Sequence, residues 1–318
     1  MNKAGLKMFE NIIKEIEKFD RIIIHRHSNP DGDALGSQIG LKHVILENYK
    51  GKEVYVVGDA SRRFGFMDDS TMDVIPDEYY SGALAIILDT SAKALISDDR
   101  YTLAARTVRI DHHIFCEEIA DVELTDTSYE SCCGLIAELA RECGFTLSEI
   151  AAKSLYTGMI TDSGRFRYDS TTSKTFTLAA FLMQTKFDTS SIYSNLYADD
   201  FEFIRLRAEF ILKIAFTENK VAYIYTTLDE VKKYNVETFT ISRGMVNTMG
   251  EIRGVDAWVN FTETEDGVLC ELRSNKYNIN QIAVKYGGGG HLKASGATVK
   301  DRETAMKMLE DLNNLVTE

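Results

Sequence analysis

Apolar residues recur at Leu6, Phe9, Ile13, Ile16 and Phe19, with charged residues between them. Steps of three and four predict an amphipathic helix over residues 6–19. The apolar run Arg21–His25 reads as a strand, and the polar loop RHSNPDGD follows it. Residues 34–47 read as a helix. KEVYVVG (52–58), ALAIILDTS (83–91) and TVRIDHH (107–113) read as further strands, and 131–143 and 149–160 as helices. Strands separated by helices imply crossover units and a mostly parallel sheet. Functional loops in such sheets gather at the carboxyl ends of the strands.

The pattern changes after about residue 186. Residues 188–213 form a helical stretch with few turn signals. Residues 211–227 read as two strands around a Glu218-Asn219 turn, and 255–275 as a hairpin turning near Asp266-Gly267. Helices are predicted over 242–252, 280–286 and 303–316. This half is α+β with antiparallel pairing. The organisation expected is a first domain at 1–186, a helical connector at 187–215 and a second, smaller domain at 216–318. The fold class is α/β, with a mostly parallel N-terminal sheet flanked by helices.

Composition narrows the function. The 318 residues carry 36 Lys+Arg against 49 Asp+Glu, a formal charge of −13. That balance argues against gripping long nucleic acid, which needs a broad basic surface. A short anionic substrate needs only a local basic pocket. No run of 18 apolar residues exists, so no membrane span is expected. The N-terminal segment lacks the apolar core and cleavage site of a signal peptide. The five cysteines, Cys116, Cys132, Cys133, Cys143 and Cys270, include no C-x-x-C pair. They read as buried or partly buried thiols of a reduced, cytoplasmic chain.

Four segments carry metal-competent side chains at strand ends or loops. The first is HSNPDGD, with His27, Asp31 and Asp33 on a tight loop set by Pro30 and Gly32. The others are Asp89 after its apolar strand, Asp111-His112-His113, and Asp162 in MITDSGRF. Imidazole with carboxylate suits Mn²⁺, Zn²⁺ or Fe²⁺. So many donors exceed the needs of one ion. Two ions about 3.5–4 Å apart, sharing a carboxylate, form the natural arrangement for phosphoryl chemistry. Taken singly, each Asp is more readily a turn former or helix cap, and His112-His113 a pair of packed imidazoles. Co-occurrence carries the argument: of six histidines, only His43 lies outside the strand-end segments and the C-terminal glycine segment. His25, on the strand itself, reads as a packed neighbour.

In order, HSNPDGDA, ILDTS, DHH and TDSGRF resemble the four motifs of the DHH phosphoesterase superfamily. The resemblance implies one metal ion held by His27, Asp31 and Asp89, and another by Asp33, Asp89, His112 and Asp162, with Asp89 bridging. It implies that His113 faces the substrate phosphate as donor or general acid, and that Asp111 orients the histidines. The ions implied are two Mn²⁺.

Residues 286–296 read YGGGGHLKASG, and four glycines permit close backbone approach to an anion. No Asp or Glu occurs from Leu272 to Lys300, while Arg273, Lys276, Lys285, Lys293 and Lys300 do. Residues 271–297 resemble the DHH-associated C-terminal domain. This implies that Arg273, Ser274, Gly288, Gly289, Gly290 and His291 contact the substrate nucleotide, with the active site in the cleft between domains.

A two-domain chain of this length is similar to the nanoRNase group of the superfamily. The implied activity is Mn²⁺-dependent hydrolysis of short oligoribonucleotides to mononucleotides by a metal-bridging hydroxide. Dephosphorylation of 3′-phosphoadenosine 5′-phosphate is an implied second activity. Hydrolysis of cyclic di-AMP or pApA uses the same metal site and stays open. So does a nucleotide-binding metal sensor with little turnover, although every ligand position is filled by a competent side chain. The resemblance implies that homo-oligomerisation is common among related proteins and leaves a homodimer open, but no residue pattern here specifies one.

Overall fold

The computed structural model describes residues 3–317, with side chains from residue 8 onward. The chain divides into two compact units, residues 1–198 and 199–318.

The first unit opens with helix α1 (Lys3–Lys18). Phe9, Ile12 and Ile16 are buried on its apolar face, while the Leu6 side chain lies outside the described residues. Strand β1 (Arg21–His25) leads through the HSNPDGD loop into α2 (Gly32–Asn48) and then β2 (Glu53–Val56). Next come β3 (Leu84–Leu88), β4 (Arg106–Asp111) and β5 (Val122–Thr125). The five strands are all parallel, in the order β2-β1-β3-β4-β5. Only the β1–β2 crossover is an α-helix. The later crossovers are loops and short 3₁₀ turns, so helices cover one face rather than alternating between two. The short strand β5 lies outside the sequence-based expectation, because its VELT carries only two apolar residues.

Helices α3 (Cys132–Cys143), α4 (Glu149–Asp162), α5 (Ser173–Leu182) and α6 (Thr189–Tyr197) complete the unit. Ile22, Ile24, Ile86, Leu88, Val108 and Ile110 point into the helical core. Ile23, Ala85 and Ile87 pack the other face beneath the 3₁₀ turns. Burial on both faces explains why the strands read as unbroken apolar runs. The strand order reverses at β1: β2 lies on one side of it and β3 on the other. That switch point opens a crevice at the carboxyl ends of β1 and β3.

The helical stretch 188–213 is interrupted at Ala198–Asp200, and α7 (Phe201–Leu212) belongs to the second unit. Residues 211–214 therefore belong to the end of α7 and its exit, not to a strand. A six-stranded sheet follows, with β6 (Ala215–Phe216), β7 (Ala222–Thr226), β8 (Ala257–Thr264), β9 (Gly267–Ser274), β10 (Gly289–His291) and β11 (Ala294–Val299). Its order is β10-β11-β9-β8-β7-β6. The sheet is mixed rather than wholly antiparallel, because β7 and β8 pair in parallel. Between β7 and β8 run α8 (Leu228–Tyr234), which was not anticipated, and α9 (Thr238–Val246). Helices α10 (Asn280–Lys285) and α11 (Arg302–Leu315) pack the opposite face with Met308 and Leu312. No helix among the described residues is long and apolar enough to cross a membrane.

Cys132, Cys133 and Cys270 are buried and Cys143 is half-buried, but Cys116 is exposed. It sits in the loop that leaves β4 after Asp-His-His, whose residues 113–116 are all exposed.

Candidate functional site

Every metal-competent segment lies at the carboxyl edge of the parallel sheet or at a helix end facing it. His27 follows β1, Asp89 follows β3, and Asp111-His112-His113 closes β4. Asp31 caps α2, Asp33 lies in its first turn, and Asp162 is the last residue of α4. His27, Asp31 and Asp89 form one group whose ligand atoms lie within 4.8 Å of one another. Asp33, His112 and Asp162 form a second such group, and Asp89 joins His112 and His113 in a third.

Asp89 is the common member. Its carboxylate is 2 % exposed, and its backbone takes the left-handed conformation, φ 50°. Its Oδ2 lies 3.5 Å from His27 Nε2, and its Oδ1 lies 3.5 Å from His112 Nε2. Each oxygen thus faces a different histidine. Buried Oδ1 has no hydrogen-bond partner. Two donors each about 2.1 Å from one ion, at a tetrahedral angle, lie about 3.4 Å apart. The Asp89–histidine spacings are long for hydrogen bonds and right for ligands sharing an ion. Asp162 Oδ2 and Asp33 Oδ2 stand 3.5 and 3.7 Å from His112 Nε2, and Asp31 Oδ1 stands 3.8 Å from His27 Nε2. An orphaned buried carboxylate oxygen among imidazole nitrogens fits a divalent cation.

The histidines are oriented for that task. His27 Nδ1 lies 2.8 Å from the Ser28 carbonyl, and His112 Nδ1 lies 3.4 Å from the Tyr129 carbonyl. A carbonyl only accepts, so in each neutral ring the proton sits on Nδ1 and Nε2 is free to ligate. His113 is turned differently. Its Nδ1 donates to Asp111 Oδ1 at 2.8 Å, while Asp111 Oδ2 accepts from the buried Arg109 guanidinium at 2.5 Å.

Electrostatics give the same picture in the metal-free centre. Burial disfavours charge on His27 and His112, yet neighbouring carboxylates outweigh it and hold both imidazolium pKa values up at about 10. Burial pushes the Asp162 carboxyl up to about 7, against the pull of His112. Asp33 is raised well above its ordinary range, first by burial and then by Asp89. Carboxylates this close require a compensating positive charge.

Some supporting groups escaped the sequence reading. Asp33 Oδ2 and Oδ1 accept the backbone N–H groups of Cys132 and Cys133, at 2.7 and 2.8 Å. Those amides open α3, so the helix N-terminus anchors the carboxylate. The signal was Ser131 as helix cap, and it spoke of the helix rather than of Asp33. Close passage of α4 makes this possible. A Cβ at Gly158 would stand 2.2 Å from Cys133 Sγ and 3.0 Å from Asp33 Cα. Arg109, alternating with apolar neighbours on β4, carried no warning of its bond to Asp111.

In the second unit, Arg273 uses Nη1 for Glu271 Oε2 at 3.2 Å and for the Leu272 carbonyl at 2.8 Å. The Ser274 hydroxyl donates to the Asp256 carbonyl at 2.8 Å and accepts from the Lys276 and Tyr277 amides at 3.0 and 2.7 Å. A hydroxyl has one donor and two acceptor sites, so Ser274 is fully engaged in building the turn after β9. Its free contact with a ligand, expected from the sequence, would break one of these bonds.

The glycine segment is not a free loop. Gly289–His291 is strand β10, paired with β11, and both glycines and His291 are exposed. A Cβ at Gly288 would stand 2.1 Å from the Gly296 carbonyl oxygen, whereas one at Gly289 would meet nothing. Gly290 has φ 133°. Glycine is thus needed at 288 and 290 for the hairpin itself. The basic stretch is also less free than its composition suggested, since Lys285 pairs with Asp311 at 2.7 Å and Lys300 with Asp301 at 3.4 Å.

Comparison with known proteins adds a second line of argument. The model of the DHH family, N-terminal domain, matches residues 21–159, and that of the DHHA1 domain matches residues 220–318. A bifunctional oligoribonuclease and PAP phosphatase, NrnA, of Bacillus subtilis (strain 168) is 35% identical over 314 residues, covering 98% of this chain and 99% of its own. The protein of the same name in Mycoplasma genitalium is 33% identical over 304 residues, covering 94% of this chain and 95% of its own. The crystal structure of an exopolyphosphatase-related protein from Bacteroides fragilis superposes with a TM-score of 0.84 at 27% identity, covering 98% of both chains.

Proposed function

Because the chain belongs to the DHH phosphoesterase family, we propose that it is a manganese-dependent phosphodiesterase that cuts short oligoribonucleotides to mononucleotides. Removal of the 3′-phosphate from 3′-phosphoadenosine 5′-phosphate is proposed as a second activity of the same centre, in line with the relatives' names. The observation carrying this reading is Asp89, whose two oxygens face His27 and His112 separately.

In the proposal, His27, Asp31 and Asp89 hold one ion, and Asp33, Asp89, His112 and Asp162 hold the other. Two divalent ions, when bound, supply an activated water and neutralise the phosphate oxygens as charge shifts. The residues do the rest. The carboxylates fix the donor positions before substrate arrives, so little reorganisation is needed during reaction. Water oxygen would bond to phosphorus and lose a proton to solvent, the P–O bond to the leaving nucleotide or shortened oligonucleotide would break, and His113, whose Nδ1 is held by Asp111, would supply from Nε2 the proton that the leaving oxygen gains. Asp111 holds His113 in orientation through Nδ1, with Arg109 holding Asp111 in turn. Arg273 contributes phosphate recognition, and the exposed backbone of Gly289 and Gly290 with His291 contributes nucleotide contact. Ser274 acts by shaping the turn beside Arg273.

The test is a Mn²⁺-supplemented panel of a five-mer RNA, 3′-phosphoadenosine 5′-phosphate, pApA and cyclic di-AMP. The reading expects turnover of the five-mer and of pApA to mononucleotides, and release of phosphate from the second substrate. Turnover of cyclic di-AMP alone would replace it with a cyclic-dinucleotide enzyme. No turnover of any would favour a nucleotide sensor.

A further inference from the structure

Beside the centre lies a polar network that uses none of the metal-competent side chains. Arg26, directly after β1, is fully buried. Its Nε donates to Gln38 Oε1 at 3.0 Å, and its Nη1 donates to the His27 carbonyl and to Asp59 Oδ1, each at 3.0 Å. Its Nη2 donates to the Asp59 carbonyl. Gln38 Nε2 in turn donates to the carbonyls of Ile24 and Val57, at 2.6 and 2.9 Å, tying together the ends of β1 and β2.

Asp59 is the far pole of the network. Its Oδ1 also accepts from the Ser97 hydroxyl, and its Oδ2 accepts the Asn29 N–H at 2.8 Å. Asn29 stands in the left-handed conformation, φ 52°, between His27 and Asp31. Such a backbone persists only where its surroundings fix it. The remaining support comes from the 95–97 segment: Ser28 N–H bonds the Leu95 carbonyl at 2.7 Å, and Ser97 N–H bonds the Arg26 carbonyl at 3.0 Å.

We infer that Arg26 and Asp59 form a brace that sets the His27–Asp31 loop, making Asp59 a positioning residue for one half of the metal centre only. The inference rests on the two-ion reading above. Every described bond of Asp59 falls on the loop, its entry residue Arg26, or Ser97. The other half is anchored elsewhere, through the Cys132 and Cys133 amides on Asp33. Asp59 touches no ligand atom, so its effect passes through the backbone of Asn29 and His27.

The test is Asp59→Asn. It keeps a group that can accept from Arg26, but the amide nitrogen cannot also accept the Asn29 N–H. Manganese is titrated into wild type and variant, followed by electron paramagnetic resonance, with hydrolysis measured in parallel. Wild type is expected to bind two ions and give a spin-coupled signal. The variant is expected to bind one ion as wild type does and the other about ten to a hundredfold more weakly. Its kcat falls, its KM holds, and excess manganese restores the rate. A general loss of structure would weaken both ions together. Ser97→Ala, which removes only the hydroxyl, should give the same pattern at smaller size and stands in if Asp59→Asn does not fold. Two ions bound with wild-type affinity in these variants would overturn the brace alone. Failure of wild type to bind two ions would overturn the two-ion reading instead.

Discussion

The two halves of the centre are built by different means. Asp33 is 1 % exposed, sits inside a helical turn and is clamped by two backbone amides. Asp31 is 56 % exposed at its side chain, stands outside the helix as a cap, and shares its Oδ1 with the Asp33 and Ala34 amides. One half is fixed by helix packing, the other by a loop that needs Arg26 and Asp59. The lesson is that donor chemistry alone does not set a site. The elements carrying the donors decide which position is rigid and which is adjustable.

The harshest way to break the comparison is to remove what the halves share. Asp89→Ala should cut Mn²⁺-dependent hydrolysis by on the order of a thousandfold or more while the circular dichroism spectrum is kept. Full activity would dissolve the distinction between halves. Separating them comes next. Asp33→Asn should lower kcat by about a hundredfold beyond Asp31→Asn at equal manganese, because excess metal can compensate only the adjustable side. Equal losses would mean equal halves. Gly158→Ala tests the packing behind the rigid half. Its Cβ would collide with Cys133 Sγ, so a loss of about 1–3 kcal/mol in chemical denaturation is expected, with weaker binding of the Asp33-side ion.

Much of this was legible in the sequence. Three motifs at strand ends and one at the end of α4 marked the candidate donors, because the carboxyl edge is where a parallel sheet exposes chemistry. The unbroken apolar runs of β1 and β3 announced burial on both faces. What stayed hidden depends on long-range packing. The Asp33 clamp joins residues about a hundred positions apart, through backbone amides that leave no mark in side-chain identity. The Arg26–Asp59 brace joins two residues that each read as loop polarity. Strand β10 was hidden because four glycines suggest flexibility, and only the approach of Gly296 shows why Gly288 must lack a side chain. The β7–β8 parallel pair was missed because hairpin signals dominate that half.

Smaller effects sharpen the picture. Proton linkage has a definite sign in the metal-free protein. His27 and His112 have pKa values raised to about 10, and Asp162 to about 7. Each contribution is full below the unfolded pKa and is lost as pH rises through the folded value. The chelated protein should therefore lose melting temperature progressively from about pH 4 to pH 10, whereas the manganese-loaded protein should not. Manganese binding at pH 7 should release protons in weakly buffered calorimetry, and affinity should rise with pH. Parallel melting curves across that range would contradict this. Least of all, Arg273→Ala should raise KM for a short RNA by about tenfold and leave a small generic phosphodiester unaffected. Equal effects on both would remove Arg273 from nucleotide recognition.

Anomalous diffraction at the manganese edge, on crystals grown with Mn²⁺, tests the central claim most directly. Two peaks about 3.5–4 Å apart are expected, one on each side of the Asp89 carboxylate. A single peak, or two peaks that do not share Asp89, would contradict it.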